Sequence, residues 1–297
     1  MPQTTVLLPT YNCAKYILET VKSVLNQFYS NYELLIIDDG STDNTEEILK
    51  AIGDERIVYL KNPTNFGIVK TLNIGIKLAK GKYIARMDAD DVMLGNRLQE
   101  QIDFLESNPD YGMVGSWYQI MDVDGKIRNT LKTTSNHEDI KLGLLFGNQF
   151  AHPTVTMRTD LVRKLKYKQE FLYTEDYDLW CRIAEVSKVA NLPRIHLSYR
   201  WYANNSCNRN QKKLKANVVK LLSRELDKYE IEHCTEELML HAAICFSYGK
   251  RFFNNDKRLS ELNKWLDRVF AAPKVKALHN HFGLIKCRHQ IIAKIYL

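Results

Sequence analysis

Two short apolar runs of this 297-residue chain each end in a burst of carboxylates. Leu34-Leu35-Ile36-Ile37 leads into Asp38-Asp39-Gly40-Ser41, and Tyr83-Ile84-Ala85-Arg86-Met87 leads into Asp88-Ala89-Asp90-Asp91. A carboxylate at the end of a buried strand has no packing reason to stand there, whereas the carboxyl edge of a parallel sheet is where ligands bind. If both runs are parallel strands, five carboxylates converge on one edge. Their mutual repulsion calls for a cation, and hard oxygen donors suit Mg²⁺ or Mn²⁺. Such an ion takes one or two carboxylates plus substrate phosphates, which points to a phosphorylated ligand. Neither G-x-x-x-x-G-K-[ST] nor a G-x-G-x-x-G after the first strand is present, so P-loop and dinucleotide readings lose their main support. Asp43, in Asp39-Gly40-Ser41-Thr42-Asp43, is expected to cap the next helix instead.

Strands and helices that place these groups follow from hydrophobic period. Thr5 to Leu8, Glu33 to Ile37, Ile57 to Leu60 and Tyr83 to Met87 have strand length and composition. Between them Ile17, Val21, Val24, Leu25 and Phe28 make a helical stripe, as do Ile68, Leu72, Ile76 and Ala79, and then Leu98, Ile102 and Leu105. The β-α alternation predicts a mostly parallel sheet with helices on both faces. After Pro109 the rhythm changes: Met113 to Met121, Thr154 to Met157 and Leu197 to Tyr202 read as strands, Asp124-Gly125 as a hairpin turn, and Glu175 to Glu185 as a helix. From Gln211 the pattern is helical, with stripes Leu214, Val218, Leu221, Leu222, Leu226 and Leu259, Leu262, Leu266, Val269. The expected organisation is an α/β unit over 1–210, divided into 1–110 and 111–210, and a helical region over 211–297.

Taken in order, these segments carry a resemblance. Val6-Leu7-Leu8-Pro9-Thr10-Tyr11-Asn12, Leu35-Ile36-Ile37-Asp38-Asp39-Gly40-Ser41-Thr42-Asp43, Asn65-Phe66-Gly67 with Leu72-Asn73-Ile74-Gly75-Ile76, Met87-Asp88-Ala89-Asp90-Asp91 and Thr174-Glu175-Asp176-Tyr177-Asp178-Leu179-Trp180-Cys181-Arg182 together resemble glycosyltransferase family 2, over roughly residues 3 to 205. The resemblance implies a GT-A fold, with a Rossmann-like, mixed but mostly parallel sheet. It also implies inverting transfer of a hexosyl or N-acetylhexosaminyl group from a nucleotide-diphosphate sugar, UDP-sugar being favoured, to a glycan or lipid-linked acceptor. Site roles follow residue by residue. Asp39 would accept the N3–H of uracil, a donor that cytosine lacks. Pro9, Thr10 and Tyr11 would hold base and ribose, with Asp88 near the ribose and Lys70 reaching a phosphate. Asp90 would bind the Mn²⁺ or Mg²⁺ that bridges the diphosphate and steadies the leaving group. Inversion needs a base opposite the leaving group, and Asp176 is the candidate, with like charges on Glu175 and Asp178 expected to raise its pKa. Arg86 suits a pairing with a carboxylate or phosphate of the site and equally a structural ion pair, and His152 suits the sugar site or, more readily, a structural place. Many relatives carry a histidine shortly after a Tyr-Arg strand; here Tyr199-Arg200-Trp201-Tyr202 puts Tyr202 there, a poor ligand while its phenol is protonated.

The remaining composition bounds the alternatives. At 45% hydrophobic and 26% charged the chain reads as globular, with no charge-free stretch of membrane-spanning length. Its start, Met1-Pro2-Gln3-Thr4, has no basic region of the secretory kind, so a cytoplasmic location is expected. Six scattered cysteines read as free thiols, and structural zinc is not expected. The net charge of +7 is concentrated in residues 211–297, which hold 17 Lys and Arg against 9 Asp and Glu. No acid follows Arg268, while Lys274, Lys276, Lys286, Arg288 and Lys294 interleave with apolar residues. This suits either a docked helix with a solvated basic face or peripheral contact with an anionic membrane. A phosphoacceptor receiver domain would not use the segment at Asp176. A non-catalytic relative acting as a membrane-surface or partner-binding module is the competing reading, and nucleic-acid binding lacks a motif.

Overall fold

The computed structural model describes residues 2–202, 210–246, 253 and 256–296, and Cys207 lies outside them. Four parallel strands form the first half of the sheet: β1 (Thr4–Thr10), β2 (Tyr32–Asp38), β3 (Ile57–Lys61) and β4 (Tyr83–Arg86). Crossovers carry α1 (Ile17–Leu25), α2 (Thr45–Lys50) and α3 (Ile68–Leu78). β1, β2 and β4 are buried along their whole length, as strands covered on both faces must be. In α1 the buried stripe is Ile17, Thr20, Val21 and Val24. Phe28 departs from expectation: it falls beyond the helix and is 88% exposed.

The second half adds β5 (Val92–Met93), α4 (Arg97–Ser107), β6 (Tyr111–Met121), β7 (Ile127–Leu131), α5 (His137–Gly143), β8 (Thr156–Arg158), α6 (Thr159–Leu165), α7 (Glu175–Val186) and β9 (Lys188–Arg200). Among the described residues nine strands join one sheet of order β3-β2-β1-β4-β8-β6-β9-β5, with β7 paired to β6. β8 runs antiparallel to both β4 and β6, so the sheet is mixed. Buried Arg97 locks the seam, donating to the carbonyls of Arg86 (2.8 Å), Pro153 (2.6 Å) and Val155 (3.2 Å).

Among the described residues five helices follow: α8 (Gln211–Lys228), α9 (Thr235–Cys245), α10 (Asp256–Ala271), α11 (Pro273–Lys276) and α12 (His281–Tyr296). Val218, Leu221, Leu222 and Ala242 share one buried cluster with Leu179 and Trp180 of α7, so these helices pack directly on the sheet-bearing half. A second cluster joins Leu142, Leu145 and Phe146 to Trp265, Leu266 and Val275. Several tail cations have acidic partners: Lys274 with Glu230 (2.7 Å), Lys286 with Asp139 (3.1 Å) and Arg288 with Asp267 (2.6 Å). Phe282 on α12 is 76% exposed. No helix among the described residues is long and apolar enough to cross a membrane.

His241 ties the two parts together. Its ring nitrogens meet the Leu145 carbonyl (2.7 Å) and the Trp265 indole N–H (3.1 Å), which fixes a neutral ring. Burial lowers its pKa to about 4. The unfolded chain takes up this proton near pH 6.5 and the folded chain resists it until about pH 4. Its contribution is therefore complete above pH 6.5 and is lost as pH falls through that window, by roughly 3 kcal/mol in the limit. Urea titrations at pH 7 and pH 5 are expected to show a lower midpoint at pH 5, with a smaller pH dependence in His241→Gln.

Candidate active site

Both acid clusters stand at the carboxyl ends of the parallel strands. Asp38 closes β2 and takes the Ser41 amide (2.7 Å) and the Tyr59 hydroxyl (2.7 Å). Asp39 is buried and accepts three N–H groups, from Asn62 Nδ2 (2.8 Å) and the Phe66 amide (2.9 Å) at Oδ1, and from the Gly67 amide (2.8 Å) at Oδ2. Gly40, at φ +80°, lets this turn press on the next loop, since a Cβ there would lie 2.8 Å from the Thr64 carbonyl carbon. Lys70, exposed on α3, has its ammonium 3.5 Å from the Phe66 ring centroid. Asp43 acts as a turn-former: it accepts the Thr45 amide (3.1 Å) and hydroxyl (2.6 Å) ahead of α2 and the Ala14 amide (3.0 Å).

At the end of β1, Pro9 and Thr10 lie in the sheet opposite Ile37 and Asp38, and the Thr10 carbonyl accepts the Asp39 amide (2.8 Å). Much of that backbone is therefore already engaged. The Thr10 hydroxyl is buried without a hydrogen-bond partner, and the Tyr11 ring is half exposed.

Asp88 pairs with the buried guanidinium of Arg86. Burial, then the Asp88 charge, raise Asp90 to about 6, opposed by a hydrogen bond from Tyr202 (2.9 Å) and by Arg86. Asp91 is wholly buried. Its Oδ1 takes the Arg200 amide (2.8 Å) while Oδ2 has no hydrogen-bond partner, and burial with the Asp88 and Asp90 charges raises its pKa. Asp88, Asp90 and Asp91 thus adjoin in one loop, the last two reluctant to ionise. Among the described residues no set of three or more His, Cys, Asp or Glu side chains is arranged to hold a metal alone.

Asp176 lies in the first turn of α7, its Oδ2 accepting from Asn148 Nδ2 (2.9 Å) and its Oδ1 from the Tyr177 amide (2.7 Å). Burial raises its pKa, opposed by those two bonds and by Arg86. The charge of buried Arg86 lowers the pKa of both Asp90 and Asp176. The expected cause of the shift needs correcting. Asp178 does not press on Asp176 as a bare charge, because Arg182 (2.6 Å) and Arg224 neutralise it inside the α7–α8 interface. Glu175 is itself raised to about 7, first by burial and then by Asp176. His152 Nε2 meets the Tyr167 hydroxyl (2.8 Å), its ring stands edge-on to Trp180, and burial lowers its pKa.

A model of glycosyl transferase family 2 matches residues 5–166. The chain belongs to glycosyltransferase family 2. This glycosyltransferase is 34% identical over 215 residues to an uncharacterized glycosyltransferase of Haemophilus influenzae, covering 68% of this chain and 67% of that protein. It is 30% identical over 254 residues to the UDP-Glc:alpha-D-GlcNAc-diphosphoundecaprenol beta-1,3-glucosyltransferase WfaP of Escherichia coli, covering 84% and 98%. Among solved structures, Staphylococcus aureus TarS 1-349 with UDP-GlcNAc superposes with TM-score 0.64 at 19% identity, over 99% of this chain and 89% of that one. Mannosyltransferase PcManGT of Pyrobaculum calidifontis, solved with GDP-Man and Mn²⁺, gives 0.59 at 16%, over 98% and 87%. These superpositions identify the GT-A fold. The enzyme is accordingly a nucleotide-sugar-dependent transferase. Sequence reasoning missed Asn148, Asn62 and Arg200 as site-shaping residues, and only Arg200 stood next to a signal, the Tyr-Arg pair.

Proposed function

We propose that this glycosyltransferase moves a sugar from a UDP-sugar to a lipid-linked acceptor with inversion, using Asp176 as base and a divalent cation held by Asp90. The observation that carries this reading is a pair of carboxylates, Asp90 beyond the end of β4 and Asp176 in the first turn of α7, that burial raises and the charge of Arg86 lowers. When bound, the cation supplies charge to the diphosphate leaving group. Asp90 would hold it with Asp88 alongside. Asp39 Oδ2, which accepts a single N–H, has room for the uracil N3–H. Tyr11 would offer its face to the base, the Thr10 hydroxyl would meet the ribose, and Lys70 would stand ready for a phosphate. Glu175 and Asp176, both raised by burial, would share one proton, and the ionised carboxylate of Asp176 would accept the acceptor hydroxyl's proton.

The choice of UDP and of a diphospholipid acceptor draws support from the activity that WfaP is named for, the relative matched over 98% of its length. The basic α11–α12 segment, with Phe282 outward, would face the lipid carrying that acceptor. One assay tests both parts. Transfer from UDP-glucose to a GlcNAc-diphospholipid in anionic and in zwitterionic vesicles, read by NMR, is expected to give a β-linked product from the α-linked donor, faster on the anionic surface. An α-linked product would sink the single-displacement reading.

A further inference from the structure

Asp90 is braced from behind by an aromatic stack. The Tyr202 hydroxyl donates to its Oδ2 (2.9 Å). The Tyr202 ring stacks on Tyr16, with centroids 6.4 Å apart and planes at 29°, and the Arg200 guanidinium lies 4.4 Å from the Tyr16 centroid. Arg200 is fixed in turn by bonds from Nε to the Asp90 carbonyl (2.9 Å), from its amide to Asp91 Oδ1 (2.8 Å) and from Nη2 to Glu19 (2.6 Å). Thr20 ties the same loop to α1 through the carbonyls of Ala89 (2.9 Å) and Asp91 (2.7 Å). The loop backbone is thus pinned by α1 and β9, while the Asp90 carboxylate is oriented chiefly by one phenol.

We propose that Tyr202 is a positioning residue of the cation site: its hydroxyl, steadied by Tyr16, occupies Oδ2 and aims the Asp90 carboxylate at the cation without ligating it. A hydrogen-bond donor behind a ligating carboxylate commonly contributes about 10–100-fold in metal affinity. The inference rests on the reading that Asp90 takes the cation, and the experiment separates the two. Free Mn²⁺ is titrated by electron paramagnetic resonance in the presence of saturating UDP, with wild type, Tyr202→Phe, Tyr16→Leu and Asp90→Asn, each with its melting temperature. Tyr202→Phe keeps the stacking ring and is expected to raise the Mn²⁺ dissociation constant about 10–100-fold with little change in melting temperature. Tyr16→Leu should shift it less, in the same direction. If Tyr202→Phe leaves Mn²⁺ affinity unchanged while Asp90→Asn abolishes it, the positioning role is overturned and the Asp90 site stands. If neither variant changes it, both fall.

Discussion

Asp176→Asn is expected to lower kcat about 10²–10⁴-fold while leaving UDP binding unchanged, the usual loss when a positioned base is removed. The amide keeps the volume and its oxygen can still accept the Tyr177 amide, so only the bond from Asn148 Nδ2 is lost, at a cost of about 1 kcal/mol, and the fold should survive. What it cannot do is take a proton. In wild type the raised pKa of Asp176 and the neighbouring Glu175 should make kcat fall as pH drops through the range where the pair binds its second proton. In Asp176→Asn that acidic limb should disappear from the residual rate. Parallel measurement of kcat against pH and of UDP affinity checks both statements, and a variant that loses nucleotide affinity instead would move Asp176 to the donor side.

The second large effect belongs to Asp90. In the metal-free protein its ionised form is disfavoured by burial and by Asp88. A divalent cation reverses that balance, so UDP and metal should bind together, each increasing the affinity for the other. Asp90→Asn removes the anionic ligand and, with it, one of three crowded charges. The variant is therefore expected to be at least as heat-stable as wild type when no ligand is present, yet to lose the metal-dependent part of UDP binding and about 10²–10³-fold in kcat/KM, the scale seen when one group stabilising a leaving charge is lost. Melting curves with UDP and Mn²⁺ added singly and together measure it. Retention of a synergistic shift in Asp90→Asn would assign the cation to other groups.

How much of this was legible in the sequence depends on how local the cause is. The strands β1, β2 and β4 were readable because parallel strands covered on both faces are continuous apolar runs, and the acids stood out because nothing in packing explains them there. The first half of β9 was not, because it carries Pro193 and Arg194, and its pairing with β6 shifts register beside Ser116 and Trp117. Phe28 fitted a helical period that the chain leaves at Leu25. Asp178 shows the limit more sharply. Its i+4 partner Arg182 was visible, but the second cation, Arg224, comes from a helix 46 residues on, and only the packed structure shows that the acid is neutralised. The Tyr202 bond to Asp90 spans 112 residues and had no local signal beyond an unexpected residue type. The engagement of the Thr10 carbonyl by the Asp39 amide likewise follows from how two neighbouring strands end, which no spacing in the sequence encodes.

The central claim is that the acid-lined sheet edge is a UDP site completed by a divalent cation. Its most direct test is thermal stabilisation by UDP, GDP, CDP and dTDP, each with and without Mn²⁺, since a ligand that binds only the folded chain raises its melting temperature. The account predicts a shift with UDP that exceeds those of GDP and CDP and depends on Mn²⁺. A folded protein that responds to none of the four, or to UDP equally with and without the cation, would contradict it.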